Sequence, residues 1–258
     1  MRRTYRRKSY GRKRVYKRSG RPTRKISKKL RSVVKRVISR NMETKTRQLT
    51  SSTINVFQAI TNTEVHNIIP AIFQGTTQQD RIGNRIKPVR MTLKLAIIAN
   101  NMNAVSPGAS SSYFDVYIFK SKFANQGGIA PTSGDMSLFL QNGSGGDSYN
   151  GQVLDGLRPV NADLFTLLTK RRVTLNNIAN SSLLAMNGYY QSTAPQKTFS
   201  FNLSKHLKDT WIYNDANTNL ANDNFYIAIG STQTDGTFLS ASVIGTYQFI
   251  TDLRYKDA

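Results

Sequence analysis

From residue 44 onward, apolar and polar positions alternate in short runs separated by Asn, Gly, Ser and Pro, the texture of β-strands rather than helices. Over residues 86–99 the alternation is partial and predicts Val89, Met91, Leu93 and Leu95 on one face. Over 112–120 it is stricter: Phe114, Val116 and Ile118 share one face, and Tyr113, Asp115, Tyr117 and Phe119 the other. Further strands are expected at 44–57, 164–169, 171–178, 197–203, 224–230 and 242–255, and short helical turns near 136–140 and 204–208. About eight strands with long irregular connections predict an all-β fold, a single antiparallel two-sheet sandwich of jelly-roll type. The run Gly-Ser-Gly-Gly-Asp-Ser-Tyr-Asn-Gly at 143–151 is expected as a flexible surface loop. It lacks the Lys-Ser/Thr ending and following helix of a phosphate-binding loop.

Before residue 44 the period changes. Ile26, Leu30, Val33, Val34, Val37 and Ile38 fall at i, i+4, i+7, i+8, i+11 and i+12, one stripe of a helix over 26–40. Pro22 and Ser27 are start signals and Asn41 a stop signal. Lys28, Lys29, Arg31, Lys35, Arg36 and Arg40 occupy the rest of its surface. Repelling cations and β-branched valines make so short a helix marginal alone in water. Its stripe needs an apolar partner and its charges need anions. Packing against copies of itself over nucleic acid satisfies both; lying on an anionic membrane is the alternative.

Charge changes the picture most. The first forty residues hold nineteen Lys or Arg and no Asp or Glu. The whole chain has 37 basic and 14 acidic residues, so the remainder has eighteen against fourteen, or +4. Residues 1–20 alternate basic clusters (Arg2, Arg3; Arg6, Arg7, Lys8; Arg12, Lys13, Arg14; Lys17, Arg18) with Tyr5, Tyr10 and Tyr16, and Arg21, Arg24 and Lys25 continue the series. Such a tract cannot bury enough apolar surface to fold by itself, and it fits a polyanion. Arg and Lys grip phosphate in any sequence context, and interleaved Tyr rings can stack on unpaired bases. Arg2, Arg3, Arg6, Arg7, Lys8, Arg12, Lys13 and Arg14 also suit a nuclear-import signal. Two domains follow: a basic arm over 1–43, disordered over 1–25 with its helix at about 26–40, and a folded body over 44–258.

The body offers little chemistry. There is no Cys, so disulfides, thiolate sites and Cys-His nucleophiles are excluded. His66 follows Glu64, and His206 lies near Asp209, without partners at catalytic or metal spacing; no catalysis and no cofactor are expected. Asp80, Asp115, Asp147, Asp155 and Asp163 read as isolated residues flanking turns. Lys170, Arg171 and Arg172 form the tightest basic cluster of the body: either a lining of an inner surface beside the arm, or a polar strand connection. Arg81, Arg85, Lys87 and Arg90, spaced along the approach to a strand, are placed to reach phosphate or a neighbouring subunit. Trp211, with Ile212 and Tyr213, is expected to pack in a core or subunit contact. No apolar run approaches a membrane span, and the N-terminus lacks the apolar core of a signal peptide. Asn142, Asn180 and Asn202 open glycosylation-type triplets that have no use without secretion.

Several stretches resemble small icosahedral capsid proteins, of the kind found in satellite tobacco necrosis virus and in circular, Rep-encoding single-stranded DNA viruses. They are Val-Lys-Arg-Val-Ile at 34–38 with Glu-Thr-Lys at 43–45, and Ile-Phe-Gln-Gly at 72–75 with Arg-Ile-Gly-Asn-Arg-Ile at 81–86. The run 165–175, containing Lys170, Arg171, Arg172, Val173 and Leu175, is a third. Extra loop material at 101–111 and 124–151 and the longer basic tract depart from the plant satellite type and favour a single-stranded DNA virus; those loops are expected as sites of host contact. The resemblance implies a jelly roll whose copies, sixty in the smallest shell (T=1), close with the arm facing inward. It also implies a virion protein; the import-type basic clusters add assembly in the host nucleus with the host import machinery. Some of Asp80, Asp115, Asp147, Asp155 and Asp163 could bind calcium at subunit interfaces, as in some such shells, although no ligand loop is recognisable. Two rival functions share a basic tail: a cellular ribosomal- or chromatin-type binding protein, and a viral nuclear-shuttle or movement protein. The near-neutral body argues against the first, because such proteins usually spread cations over the fold.

Overall fold

A computed structural model describes residues 28–77, 79–100, 111–123, 129–143, 145–176, 196–214, 218–234, 236 and 242–257. The chain divides into two units, Met1–Asn41 and Met42–Ala258. The first contains helix α1 (Lys28–Asn41), which lacks acidic residues in its first turn. Ile26 and Ser27, expected at its start, lie outside the described residues, as do residues 1–25.

The second unit is an all-β sandwich. Its strands are β1 (Lys45–Thr50), β2 (Ile54–Val56), β3 (His66–Asn67), β4 (Arg85–Ala99), β5 (Ser111–Ser121), β6 (Leu140–Asn142), β7 (Gly145–Asp147), β8 (Phe165–Asn176), β9 (Gln196–Asn202), β10 (Trp211–Ile212), β11 (Tyr226–Gln233) and β12 (Gly245–Asp257). One sheet places β12 and β4 at its centre. Beyond β12 lie β1 and β2, and beyond β4 lie β10 and β9. The second sheet runs β3-β11-β5-β8, and all pairings in both sheets are antiparallel. The runs expected separately at 164–169 and 171–178 are one strand, β8, because Lys170 continues the ladder opposite Tyr117.

Alternation explains the core. Met91, Leu93, Leu95, Ile97 and Ala99 of β4 and Tyr247, Phe249, Leu253 and Tyr255 of β12 meet Phe114, Val116, Ile118, Ile227 and Ile229 of the other sheet in one continuous cluster. Large cores of this kind hold the sandwich through apolar area removed from water, about 25 cal/mol per Å². Val89 departs from the face expected for it and is 47% exposed. The register of β4 on β12 shifts there: Arg254 faces Arg90 and Tyr255 faces Pro88, so Val89 is the extra residue of a β-bulge. The bulge also accommodates Pro88 in a central strand, where a regular ladder would not.

The stretch expected as surface loop at 124–151 is a third layer over most of its described length. Helix α2 (Ser133–Met136) is capped by Thr132, whose hydroxyl accepts from the Asp135 amide. With the β6–β7 hairpin it covers the outer face of the second sheet. Met136, Phe139, Leu140 and Tyr149 pack on Tyr117, Phe119, Phe165 and Tyr226. This explains why β5 is buried on both faces over Phe114 to Phe119. The glycine-rich segment is therefore not a loose loop: Tyr149 is fully buried and Gly151 sits at φ +82, which favours glycine. Residues 101–110 and 124–128 lie outside the described residues.

Candidate nucleic-acid interface

Of the arm's cations, Arg2 to Lys25, and the tyrosines Tyr5, Tyr10 and Tyr16, lie outside the described residues. Lys28, Lys29, Arg31, Lys35, Arg36 and Arg40 lie on α1, with Lys29 and Arg31 exposed. Leu30, Val33, Val34 and Val37 are about half exposed.

On the body, the 170–172 cluster separates by strand alternation. Arg172 lies directly opposite Asp115 and donates to both its oxygens, from Nε at 2.8 Å and Nη2 at 2.7 Å. Asp115 is fully buried and also accepts from the Tyr149 hydroxyl at 2.9 Å. These hydrogen bonds to Asp115 raise the already high pKa of the guanidinium, and burial raises that of the Tyr149 phenol. Lys170, on the same face, donates to the Gly156 carbonyl at 2.5 Å, and burial lowers its pKa. A Cβ on Gly156 would lie 1.2 Å from Arg172 Nη2, so only glycine lets the 150–158 segment approach this pair. Lys170 and Arg172 thus lie within β8 rather than at a connection between strands, and they tie the third layer to the sheet. Arg171 points the other way, exposed, with its guanidinium over the Phe199 ring at 4.6 Å.

Arg81 does not reach outward, contrary to expectation. It is fully buried, donates to Gly83 O at 2.6 Å and Asn84 Oδ1 at 2.9 Å, and lies over the Tyr213 ring. Its own backbone bonds Phe73 and Gly75, so the two stretches 72–75 and 81–86 form one clamp. Arg85, Lys87 and Arg90 are exposed. Three of the aspartates are not isolated in space: Asp115 meets Arg172, and Asp147 and Asp155 converge on Arg158 at 2.7 and 3.4 Å. Trp211 is buried in the core, and its indole donates to Asp223 at 3.1 Å. That carboxylate also pairs with Lys120 at 2.7 Å. His66 is packed edge-on to Tyr247, and burial lowers its pKa. Among the described residues no three His, Asp or Glu side chains are placed to hold a metal ion. No described helix is long and apolar enough to cross a membrane.

Sequence reasoning missed one grouping. Arg254 and Lys256 of β12 face outward beside Arg90 and Lys87 of β4, each pair directly opposite in the ladder. Lys94 continues the outward row and lies 3.5 Å from Asp252. The period-2 placement of Arg254 and Lys256 was visible in the sequence; their register against β4 was not. Beside this row runs a shallow groove of about 560 Å³ lined by Thr50, Lys94, Ala96, Ser200, Gln248 and Ile250.

The described body is, then, a two-sheet antiparallel sandwich with a third layer on one side. No family model matches the sequence, and no curated protein does. Among solved structures, the penton protein of mavirus is returned with a TM-score of 0.21 and 11% identity, over 82% of this chain and 99% of that one. A likeness at that level carries no argument about this protein.

Proposed function

We propose that this chain is a viral capsid protein that assembles into a small closed shell and packages single-stranded nucleic acid, DNA in preference to RNA, through its basic arm. The observation that carries the reading is the segregation of charge: nineteen cations in forty residues joined to a β-sandwich body of +4. A shell needs a near-neutral wall and a cationic lining, and this division of charge fits that need. Sixty arms would bring about 1,140 positive charges, enough for on the order of a thousand phosphates. Forty extended residues reach at most about 130 Å, far into a small particle. Strand order supports a jelly roll. Taking β1, β3, β4, β5, β8, β9, β11 and β12 as the eight main strands, the chain pairs first with last, second with seventh, third with sixth and fourth with fifth. The same arm is proposed to carry the protein into the host nucleus; a reporter fused to residues 1–20 that stays cytoplasmic refutes this.

The deciding experiment is electron microscopy of the purified protein with nuclease-protected nucleic acid extracted from the same fraction. Uniform small spheres with protected nucleic acid support the proposal, and DNase or RNase sensitivity of the extract names the genome. A monomer or small oligomer that binds nucleic acid without closing into shells favours a cellular or shuttle-type binding protein instead.

A further inference from the structure

Resting on the packaging reading, we infer a second phosphate-contact surface on the folded body itself. It is the outer face of the sheet centred on β12 and β4, where Lys87, Arg90, Lys94, Arg254 and Lys256 form a cationic stripe that takes the backbone of single-stranded nucleic acid.

The register is the argument. Lys87 faces Lys256 and Arg90 faces Arg254, and like charges directly opposite in a ladder destabilise a sheet. Elsewhere the fold brings unlike charges together, Asp115 directly opposite Arg172 and Lys45 diagonally across the ladder from Asp257. None of Lys87, Arg90 and Arg254 has an ion-pair partner among the described residues. On this face Asp252 is the one carboxylate among the described residues of β1, β4, β9 and β12, and Lys94 and Gln48 already engage it. A polyanion removes the repulsion.

Geometry and chemistry narrow the occupant. Adjacent strands lie about 4.8 Å apart, and alternate residues along one strand about 7 Å apart, so the cations form two parallel rows. Their neighbours Thr46, Gln48, Thr92 and Asn202 are polar, and the large exposed apolar side chains beside them among the described residues are the separated Val89 and Ile212, the latter opposite Arg85. That composition suits phosphate rather than lipid, which needs a broad apolar face to insert. The outward residues of β1, β4, β9 and β12 include no aromatic ring, so the stripe offers no stacking platform. Contact here is phosphate-led and indifferent to sequence.

The test uses the full chain with Lys87, Arg90, Arg254 and Lys256 all changed to Gln. Binding to an oligo-dT strand is measured across salt concentrations, beside a second variant with the ten cations of residues 2–18 changed to Gln. Each phosphate contact to a single strand contributes about 0.7 to the slope of log K against log salt, so the stripe variant should lose about 3 from that slope. An unchanged slope overturns the stripe, and the packaging reading survives if the arm variant still loses slope. If neither variant loses slope, both ideas fall. A second measurement avoids reliance on folding of the variant: bound oligo-dT should protect Lys87, Lys94 and Lys256 of the wild-type chain from acetylation. Lys205, exposed on another segment, serves as the unprotected control. Equal labelling of all four lysines with and without DNA overturns the proposal.

Discussion

Asp115 carries no exposed surface, and its charge is met by the Arg172 fork and the Tyr149 hydroxyl. Removing one partner of such a pair leaves a buried charge uncompensated, which costs about 3–5 kcal/mol, whereas replacing both by apolar groups is often close to neutral. Arg172→Leu should therefore lower the urea midpoint markedly, and Asp115→Leu/Arg172→Leu should recover much of the loss. Gly156→Ala should act in the same direction by displacing Nη2 from Asp115. His66 gives a pH signature. Burial holds its folded pKa below the unfolded value of 6.5, so the unfolded chain binds more protons between the two values. Stability should be full above about pH 6.5 and fall as pH drops below it. Thermal unfolding at pH 7.5 and 5.5 should show this loss, and His66→Asn should reduce it.

Elements owe their positions to what covers them. The sequence showed two apolar faces on β5 but not what lay on the Tyr117 and Phe119 side; the answer is the segment carrying Met136, Phe139 and Leu140. Phe139 touches the rings of Tyr117, Phe119 and Phe165 at 5.2 to 5.3 Å. Phe139→Ala should cost about 3–5 kcal/mol and speed amide exchange in β5. The helix 26–40 was legible from its 3.6 period, and α1 follows it over Lys28–Asn41. Val89 was misplaced because a bulge is a property of two paired strands, and one strand's alternation carries no trace of its partner's register.

For the whole molecule, the packaging proposal predicts that body–body assembly tolerates salt while cargo capture weakens steeply as salt rises, because only the second would release condensed counterions. Deleting residues 1–20 should reduce packaged nucleic acid at equal particle yield and leave the unfolding midpoint of the body unchanged. Equal nucleic acid per particle in the truncated protein would refute the role assigned to Arg2 through Arg18.

The sequence by itself determined the all-β class, most strand positions, the arm and the division of charge, since period and composition are local quantities. Tertiary structure decided what each charge meets. Arg172 finds Asp115 across 57 positions, and Lys120 finds Asp223 across 103. Arg81, adjacent in sequence to outward candidates, turns into the body, while Arg254 and Lys256 join Lys87 and Arg90 on an outer face. A side chain's face follows from its own strand, but its partner follows from which strands lie alongside, and only the folded chain settles that.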